Sequence, residues 1–180
     1  MWNIPNSLTL FRIFLVPLLV VVLLTEVPDK EYWGLGIFLL AALTDALDGI
    51  IARRTDRITT TGAMLDPIAD KLLMSAAFIS LVELQQAPAW MVTLIVGREF
   101  AVTALRMIAL ERGLAISANS LGKAKTTSQI VTVSILIFSL DSEGWQLLGL
   151  VSLWITVALT VASMAIYFWQ NRQVLMEDPT

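Results

Sequence analysis

Asp45, Asp48, Asp66 and Asp70 are four of the five carboxylates in the stretch DALDGIIARRTDRITTTGAMLDPIAD, residues 45 to 70, and their spacing could bring them together. Asp45 and Asp48 share one face of a helix near its end. Asp66 and Asp70 are an i, i+4 pair near the start of the next helix. A short polar link makes these helices antiparallel neighbours. All four side chains are therefore expected to face one another at similar depth.

Such a group of negative charges needs compensation, because desolvated like charges cost several kcal/mol per ion. The chain has no histidine and no cysteine, so acid–base or metal chemistry must rest on carboxylates, hydroxyls, lysine and arginine. Hard divalent cations fit best: Mg²⁺ takes carboxylate oxygens, water and substrate phosphate, and two ions about 4 Å apart suit phosphoryl displacement. The alternative is a structural network in which nearby cations neutralise the acids. Those cations are Arg53, Arg54, Arg57 and Lys71.

The elements that position these residues are predicted to be membrane helices. Of the 180 residues, 57% are hydrophobic, and the mean hydropathy is +0.76. Six apolar stretches reach the length of about 20 residues that spans a bilayer, and backbone groups facing lipid must be satisfied within a helix. The sequence thus predicts an all-α membrane protein, a six-transmembrane-helix bundle forming one domain over residues 1–180. The predicted spans are 8–26, 33–54, 63–84, 89–111, 121–140 and 145–169.

Charge in the links sets the orientation. Arg53, Arg54, Arg112, Lys123 and Lys125 gather on one side, whereas the links on the other side carry a single basic residue, Lys30. Basic residues remain on the cytoplasmic side, so both termini and the acidic cluster are predicted to face the cytoplasm. The net charge of −3 favours no nucleic-acid partner.

The acidic stretch resembles the signature of the CDP-alcohol phosphatidyltransferase family, D-x2-D-G-x2-A-R-x8-G-x3-D-x3-D. Every fixed position matches, and the family's six spans carry this signature on the second and third. The matching positions are Asp45, Asp48, Gly49, Ala52, Arg53, Gly62, Asp66 and Asp70.

The resemblance implies roles for these residues. Asp45, Asp48, Asp66 and Asp70 would ligate two Mg²⁺ or Mn²⁺ ions, and Asp70 would take the proton of the acceptor hydroxyl. The CDP-diacylglycerol would contact Gly49 and Arg53, with Gly62, Thr59, Asn6 and Thr9 as further candidates. An alternative for the N-terminal segment is that Ser7 caps the first helix and Arg12 snorkels to lipid head groups.

A second set of polar residues indicates the acceptor. Arg98 and Arg106 share a helix face, and the segment SLGKAKTTSQ supplies Lys123, Lys125 and Thr126. An acceptor with its own phosphate would need such cations and hydroxyls. The alternatives are that Arg98 and Glu99 help neutralise each other or other charges of the bundle, and that the lysines only follow the positive-inside rule.

The motifs REF, ALR and GKAKTT resemble the family's bacterial phosphatidylglycerophosphate synthase branch. The implied reaction joins CDP-diacylglycerol and sn-glycerol 3-phosphate, giving phosphatidylglycerophosphate and CMP. The implied setting is a homodimer among the lipids of the bacterial cytoplasmic (inner) membrane. Two alternatives are a cardiolipin-type or other transferase of the family, and a cation or proton transporter whose pathway the carboxylates line.

Overall fold

Six helices account for nearly all of the described chain. The computed structural model describes residues 4–55, 60–112, 120–141 and 143–172, and the side chains of residues 7–44, 68–112, 124–141 and 144–172. Within these ranges there is no β-strand. The helices are α1 (Ile4–Leu24), α2 (Lys30–Thr55), α3 (Thr60–Glu83), α4 (Ala89–Glu111), α5 (Ser120–Phe138) and α6 (Glu143–Gln170). The six predicted helices are confirmed, with ends that differ from prediction by a few residues.

The tight turn between α3 and α4 follows from local backbone geometry. Gln85 has φ 58°, in the left-handed region, and its N–H donates to the carbonyl of Val82. The next N–H, that of Gln86, donates to the carbonyl of Leu81 at 2.9 Å. This is a Schellman arrangement, which satisfies carbonyls at a helix end. Pro88 then precedes α4, so α3 and α4 run in opposite directions.

The main core draws buried apolar side chains from all six helices. Helix α3 is central to this packing, since it contacts α1, α2, α4 and α5, while α6 packs on α4 and α5. Asp70 and Lys71 of α3 therefore lie beside several other helices. The largest fully buried apolar residues of this core are Leu19, Leu23, Phe38, Leu73, Phe78, Leu81, Met91, Ile95, Leu136, Ile137 and Leu153.

The outer surface is also apolar, as a membrane protein requires. Large hydrophobic side chains such as Phe14, Phe100 and Leu147 are exposed on it. Among the described residues, two helical segments are long and apolar enough to cross a membrane, Ser7–Leu24 and Gly144–Gln170. A shorter apolar segment runs over Ala124–Phe138. The chain is thus an all-helical protein with the features of a membrane protein, and six spans remain a prediction.

Helix α1 contradicts the capping alternative for the N-terminal segment. The helix begins at Ile4, so Ser7 lies inside it and is not its N-cap. Arg12 is fully buried rather than extended towards head groups. The reason is packing: α1 lies against both α2 and α3, and this face of the helix is covered by them.

Candidate active site

The signature acids lie on the two helices expected to carry them. The backbone places Asp45 and Asp48 near the end of α2, and Asp66 and Asp70 in the first half of α3. These helices contact each other, and only four residues separate them. The side chains of Asp45, Asp48 and Asp66 lie outside the described residues. The same holds for the side chains of Gly49, Arg53, Gly62, Asn6 and Lys123, and for the whole of Thr59.

Asp70 is the one signature acid whose side chain is described. It is partly buried on α3 and lies close enough to Lys71 and Lys125 for their charges to interact. Among the described side chains, no three acidic or histidine residues group in a way that could hold a metal ion. The predicted metal site depends on three acids beyond those side chains, so it stays a prediction.

A buried ion-pair group joins α4 to α5 beside Asp70. Arg98 and Lys125 are only 8% and 3% exposed, and both bind the same oxygen, Oε1 of Glu99. The distance from Arg98 Nη1 to that oxygen is 3.4 Å, and Lys125 Nζ forms the second ion pair. One carboxylate thus serves two cations, which partly confirms the alternative that Arg98 and Glu99 neutralise each other.

Arg106 lies two turns beyond Arg98, towards the C-terminal end of α4, and approaches the same group. Its Nε donates a hydrogen bond of 2.9 Å to the hydroxyl oxygen of Tyr167 on α6. The guanidinium carbon also lies 5.6 Å from the centre of the Tyr167 ring, within the range of a cation–π contact. Arg106 is near enough to Lys71 and Arg98 for their charges to interact.

Cations are concentrated in this cluster. Lys71, Arg98, Arg106 and Lys125 lie near one another and near the carboxylates of Asp70 and Glu99. Arg98 Nε has no hydrogen-bond partner among the described residues, so a buried donor remains available. A group of cations with such an N–H donor suits an anion such as phosphate.

Two other predicted binding residues have described side chains, Thr9 and Thr126. Thr9 is fully buried in α1, and Thr126 is partly buried in the first half of α5, next to Lys125. Both already make interactions with other residues. The sequence reasoning missed Tyr167, because 61 positions separate it from Arg106 and no local pattern links them.

Comparison with known proteins identifies similar chains. The family model for CDP-alcohol phosphatidyltransferase matches residues 2–162. A CDP-diacylglycerol–glycerol-3-phosphate 3-phosphatidyltransferase from Bacillus subtilis (strain 168) is 40% identical, over 97% of this chain and 98% of that protein. A protein of the same name from Rickettsia bellii (strain RML369-C) is 36% identical, over 92% and 93% of the two chains. Another from Escherichia coli (strain K12) is 35% identical, over 98% and 99%.

Proposed function

The chain belongs to the CDP-alcohol phosphatidyltransferase family, and we propose that it transfers the phosphatidyl group of CDP-diacylglycerol to sn-glycerol 3-phosphate. The products are phosphatidylglycerophosphate and CMP. The observation that carries this proposal is similarity of 35–40% identity, over nearly the whole chain, to proteins named for that transfer. The cation cluster beside Asp70 supports the acceptor, since glycerol 3-phosphate brings a phosphate that needs such partners.

Asp70 is proposed as the general base. An acceptor hydroxyl attacks the phosphorus that carries the diacylglycerol, a new P–O bond forms, and the bond from that phosphorus to CMP breaks. The hydroxyl proton passes to the Asp70 carboxylate. In a chain without histidine, a carboxylate is the natural base, and the nearby charges of Lys71 and Lys125 hold Asp70 within the cluster.

Asp45, Asp48, Asp66 and Asp70 are proposed to hold two Mg²⁺ or Mn²⁺ ions. The donor set fits, because all four supply hard oxygen ligands and they form two pairs, each about one helical turn apart, on two adjacent helices. When bound, such ions would offset negative charge on the pyrophosphate and on the departing CMP. We propose that Gly49, Arg53, Gly62, Thr59, Asn6 and Thr9 bind the CDP-lipid.

The acceptor phosphate is proposed to bind Arg98, Arg106, Lys123, Lys125 and Thr126. Three of these, Arg98, Arg106 and Lys125, come from two helices and lie in one cluster with Asp70. Arg98 and Arg106 offer planar N–H pairs that match phosphate oxygens, whereas Lys125 supplies a compact charge. Phosphate bound there would bring the hydroxyls of the same small molecule near the Asp70 carboxylate.

The setting is proposed to be the bacterial cytoplasmic membrane, crossed six times, with the site facing the cytoplasm. The basic residues at this end of the helices support that orientation. The enzyme is proposed to act as a homodimer among membrane lipids. Cross-linking in membranes would test the dimer, and labelling of single cysteines placed in the links would test the topology.

The proposed reaction is tested by measuring CMP release from CDP-diacylglycerol by the purified protein. Parallel reactions contain glycerol 3-phosphate, phosphatidylglycerol, serine or inositol phosphate, each with Mg²⁺. We expect CMP release in the reaction that contains glycerol 3-phosphate and none with the other three acceptors. Release with another acceptor, and none with glycerol 3-phosphate, would overturn the proposed substrate; phosphatidylglycerol as that acceptor would indicate a cardiolipin-type enzyme.

A further inference from the structure

Tyr167 of α6 holds the side chain of Arg106 by two contacts at once. We infer that Tyr167 is a positioning residue, which keeps the Arg106 guanidinium in the cation cluster, ready for the acceptor phosphate. This inference rests on the proposed function. It adds a residue from α6 to a cation cluster whose charged members lie on α3, α4 and α5.

Tyr167 is a rigid anchor. Its side chain is 4% exposed and packs with Val102, Leu105 and Ala109 of α4, in a small apolar cluster separate from the main core. Packing of this kind fixes the ring, and the ring fixes its hydroxyl. Arg106, by contrast, is an exposed and long side chain with many rotamers. The anchor therefore restricts a group that would otherwise sample many positions.

The geometry of the hydrogen bond leaves the binding edge of Arg106 available. Tyr167 accepts the Nε–H, and no other hydrogen bond of Arg106 occurs among the described residues. Its two terminal nitrogens thus keep their N–H groups for a ligand. Paired N–H groups of this kind bind phosphate oxygens in a bidentate manner.

The anchor also opposes a repulsion. Lys71 and Arg98 lie near enough to Arg106 for like charges to repel. Before phosphate binds, this repulsion would push the guanidinium away from the cluster and towards water. The hydrogen bond and the cation–π contact to Tyr167 hold it in place instead.

The test is Tyr167→Phe, which removes the hydroxyl and keeps the ring. We expect the KM for glycerol 3-phosphate to rise about five- to tenfold, less than a direct loss of a charged hydrogen bond would cause. The kcat and the KM for CDP-diacylglycerol should change less than about twofold, because the base and lipid contacts remain. Tyr32→Phe is the matched control and should leave both KM values unchanged. Tyr32 is the only other tyrosine of the sequence; it lies at the start of α2, is largely exposed, and has an edge contact with the ring of Phe138.

A second variant links the effect to Arg106. Arg106→Ala should raise the KM for glycerol 3-phosphate by itself, and adding Tyr167→Phe should then change it no further. Additive effects of the two substitutions would overturn the inference, as would an unchanged KM in Tyr167→Phe. If Tyr167→Phe lowered thermal stability and raised the KM values for glycerol 3-phosphate and CDP-diacylglycerol together, Tyr167 would have a structural role only, which would also overturn the inference. Failure of the wild-type protein to use glycerol 3-phosphate would contradict the proposed function, and the inference with it.

Discussion

Replacing Lys125 by methionine should separate acceptor binding from folding. Lys125 is buried and pairs with Glu99, so its ammonium group has one fixed partner and lies close to Asp70. Methionine keeps much of the buried stem and removes the charge. Glu99 then retains Arg98 at 3.4 Å and is 18% exposed, so its carboxylate is not left buried and unpaired. We expect only a modest loss of thermal stability, because removing one member of a buried ion pair is costly chiefly when the other charge is left unpaired, and Glu99 keeps Arg98.

The effect on binding should be much larger. A hydrogen bond between charged groups contributes about 1.5–3 kcal/mol. Each 1.4 kcal/mol corresponds to about a tenfold change in affinity, so the KM for glycerol 3-phosphate should rise about 10- to 100-fold. The KM for CDP-diacylglycerol should change little, because the lipid is expected to bind at the signature residues of α2 and α3.

The assay is CMP release by purified protein in mixed micelles, titrated once with glycerol 3-phosphate and once with CDP-diacylglycerol. Arg172→Met is the control, since Arg172 is an exposed cation near the same end of the bundle and lies over the Trp169 ring at 5.0 Å. Its loss should leave both KM values unchanged. An equal rise of both values in Lys125→Met, or no rise, would refute a phosphate-binding role for Lys125.

Three other perturbations have expected outcomes. Asp70→Asn should nearly abolish CMP release while the protein elutes and melts like wild type; near-normal turnover would exclude Asp70 as the base. Chelation of divalent cations by EDTA should stop CMP release, and added Mg²⁺ or Mn²⁺ should restore it; activity that persists in EDTA would contradict the metal site. Thr132 and Thr156 approach at 2.9 Å between α5 and α6. A double-mutant cycle with valine at both positions should give about 0.6 kcal/mol of coupling in unfolding, and zero coupling would show that the contact contributes nothing.

The helices could be predicted because their length is set by apolar runs between polar links. The predicted span 89–111 coincides with α4, which starts after Pro88. The first helix was harder, because Ser7 has the residue type of a cap and only the backbone shows that the helix begins earlier, at Ile4. Burial of Arg12 likewise depends on how α1 packs against α2 and α3, which hydropathy does not encode.

The site was predictable where its residues share one helix. Arg98 and Arg106 lie two turns apart on α4, so helical periodicity places them on one face. The structure also brings Lys125 to them, as grouping the two polar segments had predicted, although the binding role of all three stays a prediction. The pairing of Glu99 with Lys125 and the contact between Arg106 and Tyr167 depend on how α5 and α6 pack on α4. Sequence spacing alone holds no information on such contacts.

The ion pair between Glu99 and Lys125 also bears on how the protein enters the bilayer during synthesis. Helix α4 carries Arg98, Glu99 and Arg106, and it is absent from the described helices that are apolar enough to cross a membrane. Each charge near the middle of a lone span opposes insertion by about 2.5–3.5 kcal/mol. Lys125 of α5, the partner of Glu99, is synthesised after α4. We therefore expect α4 and α5 to insert into the membrane together as a hairpin. A nascent chain arrested before α5 should leave α4 accessible to protease.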